Sequence, residues 1–166
     1  MTNIEVVPDT DREFVMKKYN RRYTPDRISE LKENEIFVFG SNLEGSHDGG
    51  AAKLAYNRFG AVWGLGTGIQ GRSYAIPTMQ GGVETIRPYV NQFINFAARN
   101  PDMKFLVTRI GCGIAGFKDE EIAPLFRKAV PVSNIYLPQK FYDILLEPYL
   151  KHCFYSVSIH ISEPTR

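Results

Sequence analysis

Ile36-Phe37-Val38-Phe39-Gly40-Ser41-Asn42-Leu43-Glu44-Gly45-Ser46-His47-Asp48-Gly49-Gly50-Ala51-Ala52-Lys53 decides the fold class of this chain. An apolar run bounded by glycine predicts a buried strand at Ile36–Phe39. The polar, glycine-bearing loop that follows runs into a helix predicted from Gly50 to Phe59. A loop of this kind places free backbone N–H groups and the positive end of a helix dipole together, a ready site for an anion. Gly49-Gly50-Ala51-Ala52 offers no bulk to obstruct a phosphate or a ribose. Asn42 carries both a donor and an acceptor, suited to a sugar hydroxyl or equally to tying the turn together.

The same strand-then-helix alternation continues outward. Further strands are predicted at Ser73–Ile76, Phe105–Thr108 and Asn134–Leu137, with helices at Thr85–Arg99, Asp119–Val130 and Phe141–His152. The helix at Thr85–Arg99 is the clearest, because Ile86, Tyr89, Val90, Phe93, Ile94 and Ala97 recur at helical spacing. Pro88 falls in its first turn, where a missing N–H costs little. This order predicts an α/β sandwich around a largely parallel sheet. Before it, Asp11–Asn20 reads as a helix, and Thr24-Pro25-Asp26 as the capped start of another. After it, residues 155–162 alternate polar and apolar, the period of a half-buried edge strand that makes the sheet mixed.

All 14 glycines lie between Gly40 and Gly116. Glycine lets a backbone approach a ligand closely, so their clustering suggests several binding turns; tight turns between core elements are the plainer explanation. The second glycine loop is Arg109-Ile110-Gly111-Cys112-Gly113-Ile114-Ala115-Gly116-Phe117, again between a strand and a helix. Its successive N–H groups suit a diphosphate. The next helix opens with Asp119-Glu120-Glu121, which already complements its dipole, so an anion belongs in the loop's concavity and not on that helix axis. Neither loop is a Walker loop, and the Gly-x-Gly-x-x-Gly match at Gly111–Gly116 is weak alone. If the preceding strands are parallel neighbours, both loops leave one carboxyl edge of the sheet. Met79-Gln80-Gly81-Gly82 is placed to close the same cleft, and the Trp63–Gly68 connection reads as a mobile cover.

Composition sets the bounds. The chain has 166 residues, 43% apolar and 23% charged, with a formal net charge of +2. This is one domain with a self-sufficient core, 1–166, and its charge gives no case for nucleic acid or an anionic membrane. Cys112 and Cys153 make neither a disulfide framework nor a metal-ligand spacing. No secretory signal or spanning run is present, and a soluble, cytoplasmic protein is expected. No cofactor and no metal are called for.

Together the two loops resemble the macro domain family, in particular a divergent bacterial and phage-associated macro-like branch, over about residues 35–138. Residues 1–34 then form a helical N-terminal extension and 139–166 a C-terminal helix and edge strand. Macro domains carry Val-Asn-Ala-Ala-Asn ending a strand, a Gly-Gly-Gly loop opening a helix, and later Ser-x-Gly-Ile-Tyr-Gly-Tyr/Phe. Val38-Phe39-Gly40-Ser41-Asn42, Asp48-Gly49-Gly50-Ala51 and Gly111-Cys112-Gly113-Ile114-Ala115-Gly116-Phe117 stand in those places. The resemblance implies a three-layer sandwich, a mixed, largely parallel sheet with helices on both faces, binding ADP-ribose or a related nucleotide. It implies that Asn42 holds the distal ribose, that Gly49-Gly50 approach it, and that Gly111–Gly116 cradle the diphosphate while Phe117 flanks ribose or adenine. Phe39 replaces the first Asn of the motif, and Ala115 the aromatic that packs on the ribose. The acidic residue with which the family holds adenine has no counterpart in Leu31-Lys32-Glu33-Asn34-Glu35.

His47-Asp48 is the candidate acid/base element, since imidazole exchanges protons around neutrality and the pair lies in the first loop. A solvated loop pair is the alternative. Cys112 reads as a small turn residue, its other reading being a thiol nucleophile. Three functions stay open: nucleotide binding with hydrolysis of an ADP-ribosyl linkage or terminal phosphate, a non-catalytic reader or scavenger of a nucleotide signal, and an interaction protein that has lost its ligand. The oligomeric state is not legible.

Overall fold

Apolar side chains on β1 (Glu35–Ser41) alternate between two cores, which places this strand in the middle of the molecule. Ile36 and Val38 enter one hydrophobic cluster, whereas Phe37 and Phe39 enter the other. A strand apolar on both sides must be covered on both sides. The computed structural model describes residues 23–146. After β1 come α1 (Gly50–Arg58), β2 (Gly68–Gln70), β3 (Ser73–Pro77), a 3-10 turn (Val83–Thr85), α2 (Arg87–Ala98) and β4 (Lys104–Val107). A short α3 (Asp119–Ile122) continues as a 3-10 helix (Ala123–Ala129), followed by β5 (Ile135–Tyr136). A last helix, α4, occupies 139–146 at the edge of the described residues.

The five strands among the described residues lie in the order β2-β3-β1-β4-β5. β1 pairs in parallel with β3 and β4, β4 pairs in parallel with β5, and β2 alone runs antiparallel to β3. The register sets Val38 opposite both Tyr74 and Val107. The chain leaves β1 for a neighbour on one side, then crosses to β4 on the other. That reversal opens a crevice at the carboxyl ends of these strands.

α1 covers one face, with Ala52, Ala55 and Phe59 against Phe37, Phe39 and Ala75. The other face carries the larger core, where α2, the Ala123–Ala129 helix and α4 contribute Phe93, Phe126 and Phe141, each fully buried. Phe93 stands at its centre, edge-on to Tyr74, Phe105 and Phe126 at 5.1–6.4 Å between ring centroids. Such edge-to-face packing adds to the gain from burial.

Three expectations differ from the structure. Thr24-Pro25-Asp26 starts no helix, and residues 23–34 are irregular. The Thr24 hydroxyl, which was to cap a helix, donates instead to the Tyr136 carbonyl at 2.9 Å, and the Thr24 amide to Leu137. This clips the segment beside β5. The helix expected over Asp119–Val130 changes to 3-10 geometry at Ala123. Pro124 removes the N–H that would bond to Glu120 and crowds that carbonyl, so a continuous α-helix is disfavoured there. Among the described residues the sheet is mixed because of β2, which no sequence signal gave. The helix expected at Asp11–Asn20, the strand at 155–162 and the end of the helix at Phe141–His152 lie outside the described residues.

Among those residues no helix is long and apolar enough to cross a membrane.

Candidate functional site

Both glycine loops open onto one cavity. It holds about 320 Å³ and lies at the carboxyl ends of β1 and β4. Gly40, Ser41, Asn42, Asp48, Gly49, Gly50 and Ala51 line it from the first loop, and Gly111, Gly113, Ile114 and Ala115 from the second. The structure therefore brings together most of the residues selected from sequence. His47, Cys112, Gly116 and Phe117 are not part of the lining.

The floor is built tightly. Thr78 and Thr108 extend the hydrogen-bond ladder past the strand ends, their amides donating to the Ser41 and Val38 carbonyls. A β-carbon on Gly40 would sit 3.3 Å from the Gly111 amide nitrogen, so the two loops touch through backbone at the base of the cavity. One wall is the start of α1. Gly49 caps this helix without a side-chain hydrogen bond, and its first turn contains no acidic residue. Gly50, Ala51 and Ala52 of that turn line the cavity, and the nearest carboxylate in the chain is that of Asp48, just before the cap. α3 is the opposite case, since the Glu121 carboxylate accepts from the Lys118 amide at 2.9 Å and Asp119, Glu120 and Glu121 fill the first turn.

Several polar side chains of the first loop are engaged within the protein. The Asn42 amide donates to the Ser46 carbonyl at 3.2 Å and accepts from the Ser46 amide at 2.9 Å. The buried Ser41 hydroxyl donates to Gly66 at 2.5 Å. His47 is 1% exposed and packed among Phe39, Tyr56 and Trp63. Its Nε2 faces the carbonyls of Val62 and Leu65 at 2.9 and 3.1 Å, which requires the proton on Nε2; Nδ1 is buried and unpaired. His47 thus fastens the connection between α1 and β2 to the first loop. Gly64 donates to Gly45, and Gln70 receives the Val62 amide while donating to Leu65. These bonds hold in place the Trp63–Gly68 stretch that sequence reasoning made a mobile cover. In contrast, Asp48 presents an exposed carboxylate to the cavity.

The second loop is anchored by Phe117, which packs onto the main core while its amide donates to Gly111 at 2.8 Å. Cys112 donates its thiol hydrogen to Asp119 at 3.5 Å. Burial, reinforced by the negative charge of Asp119, pushes the thiol pKa up to about 12, so it is a protonated thiol around neutrality. Asp119 also takes two hydrogen bonds from Arg109, at 2.9 and 2.7 Å. The Arg109 hydrogen bond is the main reason its carboxyl titrates below the usual range.

A second, larger cavity of about 550 Å³ adjoins the first, sharing Ala51, Thr108 and Arg109 as lining. Ile28, Phe37, Leu54 and Pro138 supply an apolar wall, and Asp26 and Arg27 place one charge of each sign beside it. Sequence reasoning missed this chamber. It sought an acidic residue at 31–35 and read Asp26 as a helix start; only the clip of Thr24 onto β5 carries Asp26 to the cavity. Arg109 was within the quoted loop but had no assigned role, because its place beside both cavities depends on the strand order. Met79 lines the smaller cavity and is 52% exposed, while Gln80 turns inward to the Pro77 and Thr85 carbonyls.

Among the described residues no cluster of three or more His, Cys, Asp or Glu is disposed to hold a metal ion. Comparison with protein-family models, with curated proteins and with solved structures finds no match for this chain.

Proposed function

We propose that this protein binds ADP-ribose or a related nucleotide diphosphate across the carboxyl edge of its sheet. The observation that carries this reading is a single cavity in which the uncapped start of α1 meets the open backbone of Gly113. Backbone N–H groups at the start of α1 and in the second glycine loop favour an anionic ligand with several oxygen acceptors. The adjoining chamber, with Phe37, Ile28 and Pro138 beside the Asp26 carboxylate, is of a size and chemistry for a nucleobase. The resemblance of the two loops to macro domains points the same way.

A binding module that reads or scavenges a nucleotide is favoured over a hydrolase by the first loop. The side chains of Ser41, Asn42 and His47 are engaged with the protein's own backbone. If turnover occurs, Asp48 is the carboxylate placed to activate water, with His47 positioning the loop that carries it. The test is a calorimetric titration with ADP-ribose against AMP, followed by product analysis of the bound ligand. Micromolar binding that AMP does not match is expected, with ADP-ribose recovered intact. No heat with either nucleotide would refute the ligand, and release of product abolished by Asp48→Ala would establish the hydrolase instead.

A further inference from the structure

Among the described residues Arg109 is the one cationic side chain that lines both cavities. Its Nε and Nη2 each donate to a carboxylate oxygen of Asp119, a bidentate pair that fixes the plane of the guanidinium. These bonds engage two of its five N–H donors and leave the outer edge of the fork for another acceptor. The two partners differ in exposure: the Asp119 side chain is 13% exposed and that of Arg109 50%. The pair therefore turns its negative end inward and its positive end toward the junction of the cavities. Asp48 lines the smaller chamber, and Asp26 and Arg27 line the larger with opposite charges, so Arg109 is the cation at the junction itself. A ligand spanning both chambers must pass it.

We infer that Arg109, aimed by Asp119, selects a ligand whose middle is a phosphate or diphosphate over one whose middle is neutral. This deepens the nucleotide reading above and rests on it. A guanidinium suits this role better than an ammonium, because its planar fork meets a phosphate with two parallel hydrogen bonds. Asp119 is a positioning residue, acting on the ligand through Arg109.

The test is calorimetric titration of the wild type, Arg109→Gln and Arg109→Lys with ADP-ribose, inorganic pyrophosphate and adenosine, with thermal melts for each variant. The inference expects Arg109→Gln to weaken ADP-ribose and pyrophosphate by about tenfold or more, and Arg109→Lys by less. Adenosine should change by less than about twofold. If Arg109→Gln does not fold, the charge-conserving Lys variant still has to bind pyrophosphate several-fold more weakly than wild type. Equal affinity of ADP-ribose for the wild type and a folded Arg109→Gln would overturn the inference while leaving the nucleotide reading standing. A wild type that binds neither ADP-ribose nor pyrophosphate would overturn both.

Discussion

A β-carbon added to Gly113 meets nothing within 4 Å. The residue is not among the glycines with positive φ, so neither backbone conformation nor internal packing calls for glycine there. A side chain would enter open space at the cavity instead. Gly113→Val should therefore leave folding stability within about 0.5 kcal/mol, while lowering ADP-ribose affinity by tenfold or more, read by parallel melts and titrations. Gly45 is the contrasting case. It has φ +73°, and a side chain would overlap the backbone of Gly64 and Leu65, so Gly45→Ala should destabilise by more than about 1 kcal/mol. The Cys112 thiol gives a test at high pH. Its folded pKa lies above that of an unfolded cysteine, about 8.5, so it contributes stability that is complete below that value and is lost as pH rises toward 12. Cys112→Ser should flatten that part of the stability profile, and native Cys112 should resist iodoacetamide at neutral pH in a Cys153→Ser background. A Cys112 that reacts like a free thiol would contradict the placement of its hydrogen bond to Asp119. At this scale glycine is legible in a sequence, because its lack of a side chain is an identity. Whether Asn42 faces a ligand or its own loop is not, since Ser46 satisfies both ends of its amide only once the turn has closed.

The connection between α1 and β2 is the element on which the first wall depends. Ser41, His47 and Gln70 bind its carbonyls, and Trp63 closes over His47 with Tyr56 at 5.5 Å between ring centroids. Removing the imidazole takes one donor from the Val62 and Leu65 carbonyls, which keep the Leu65 amide and the Gln70 side chain respectively, and opens a hole beside Phe39. His47→Ala should cost about 2–4 kcal/mol, measured by urea unfolding. A change below about 0.5 kcal/mol would show that the imidazole is not a fastening for this connection. The sequence shows this element only as a glycine-rich run, and glycines read equally as freedom or as close approach. Helix positions were easier. α2 has a strong apolar stripe and a proline in its first turn, whereas α3 is shorter than the predicted Asp119–Val130 because Pro124 turns its continuation into 3-10 geometry.

At the scale of the molecule, strand and helix alternation made the α/β class and the parallel core of the sheet legible. The order β2-β3-β1-β4-β5 was not, since periodicity says which faces are buried and not which strands are neighbours. That order places both glycine loops and Arg109 at one edge, and it brings Thr24 and Asp26 beside them through β5. Phe93 is the point on which this arrangement turns, being fully buried where α2 meets the sheet. Phe93→Ala should cost about 3–5 kcal/mol by denaturant unfolding. The most direct measurement of the central claim is the change in backbone amide NMR shifts as ADP-ribose is added to labelled protein. The account predicts saturable shifts concentrated at Gly49–Ala51 and Gly111–Ile114, with a second group around Asp26 and Ile28. Shifts centred on Tyr56 and Trp63, or none at millimolar ligand, would contradict it.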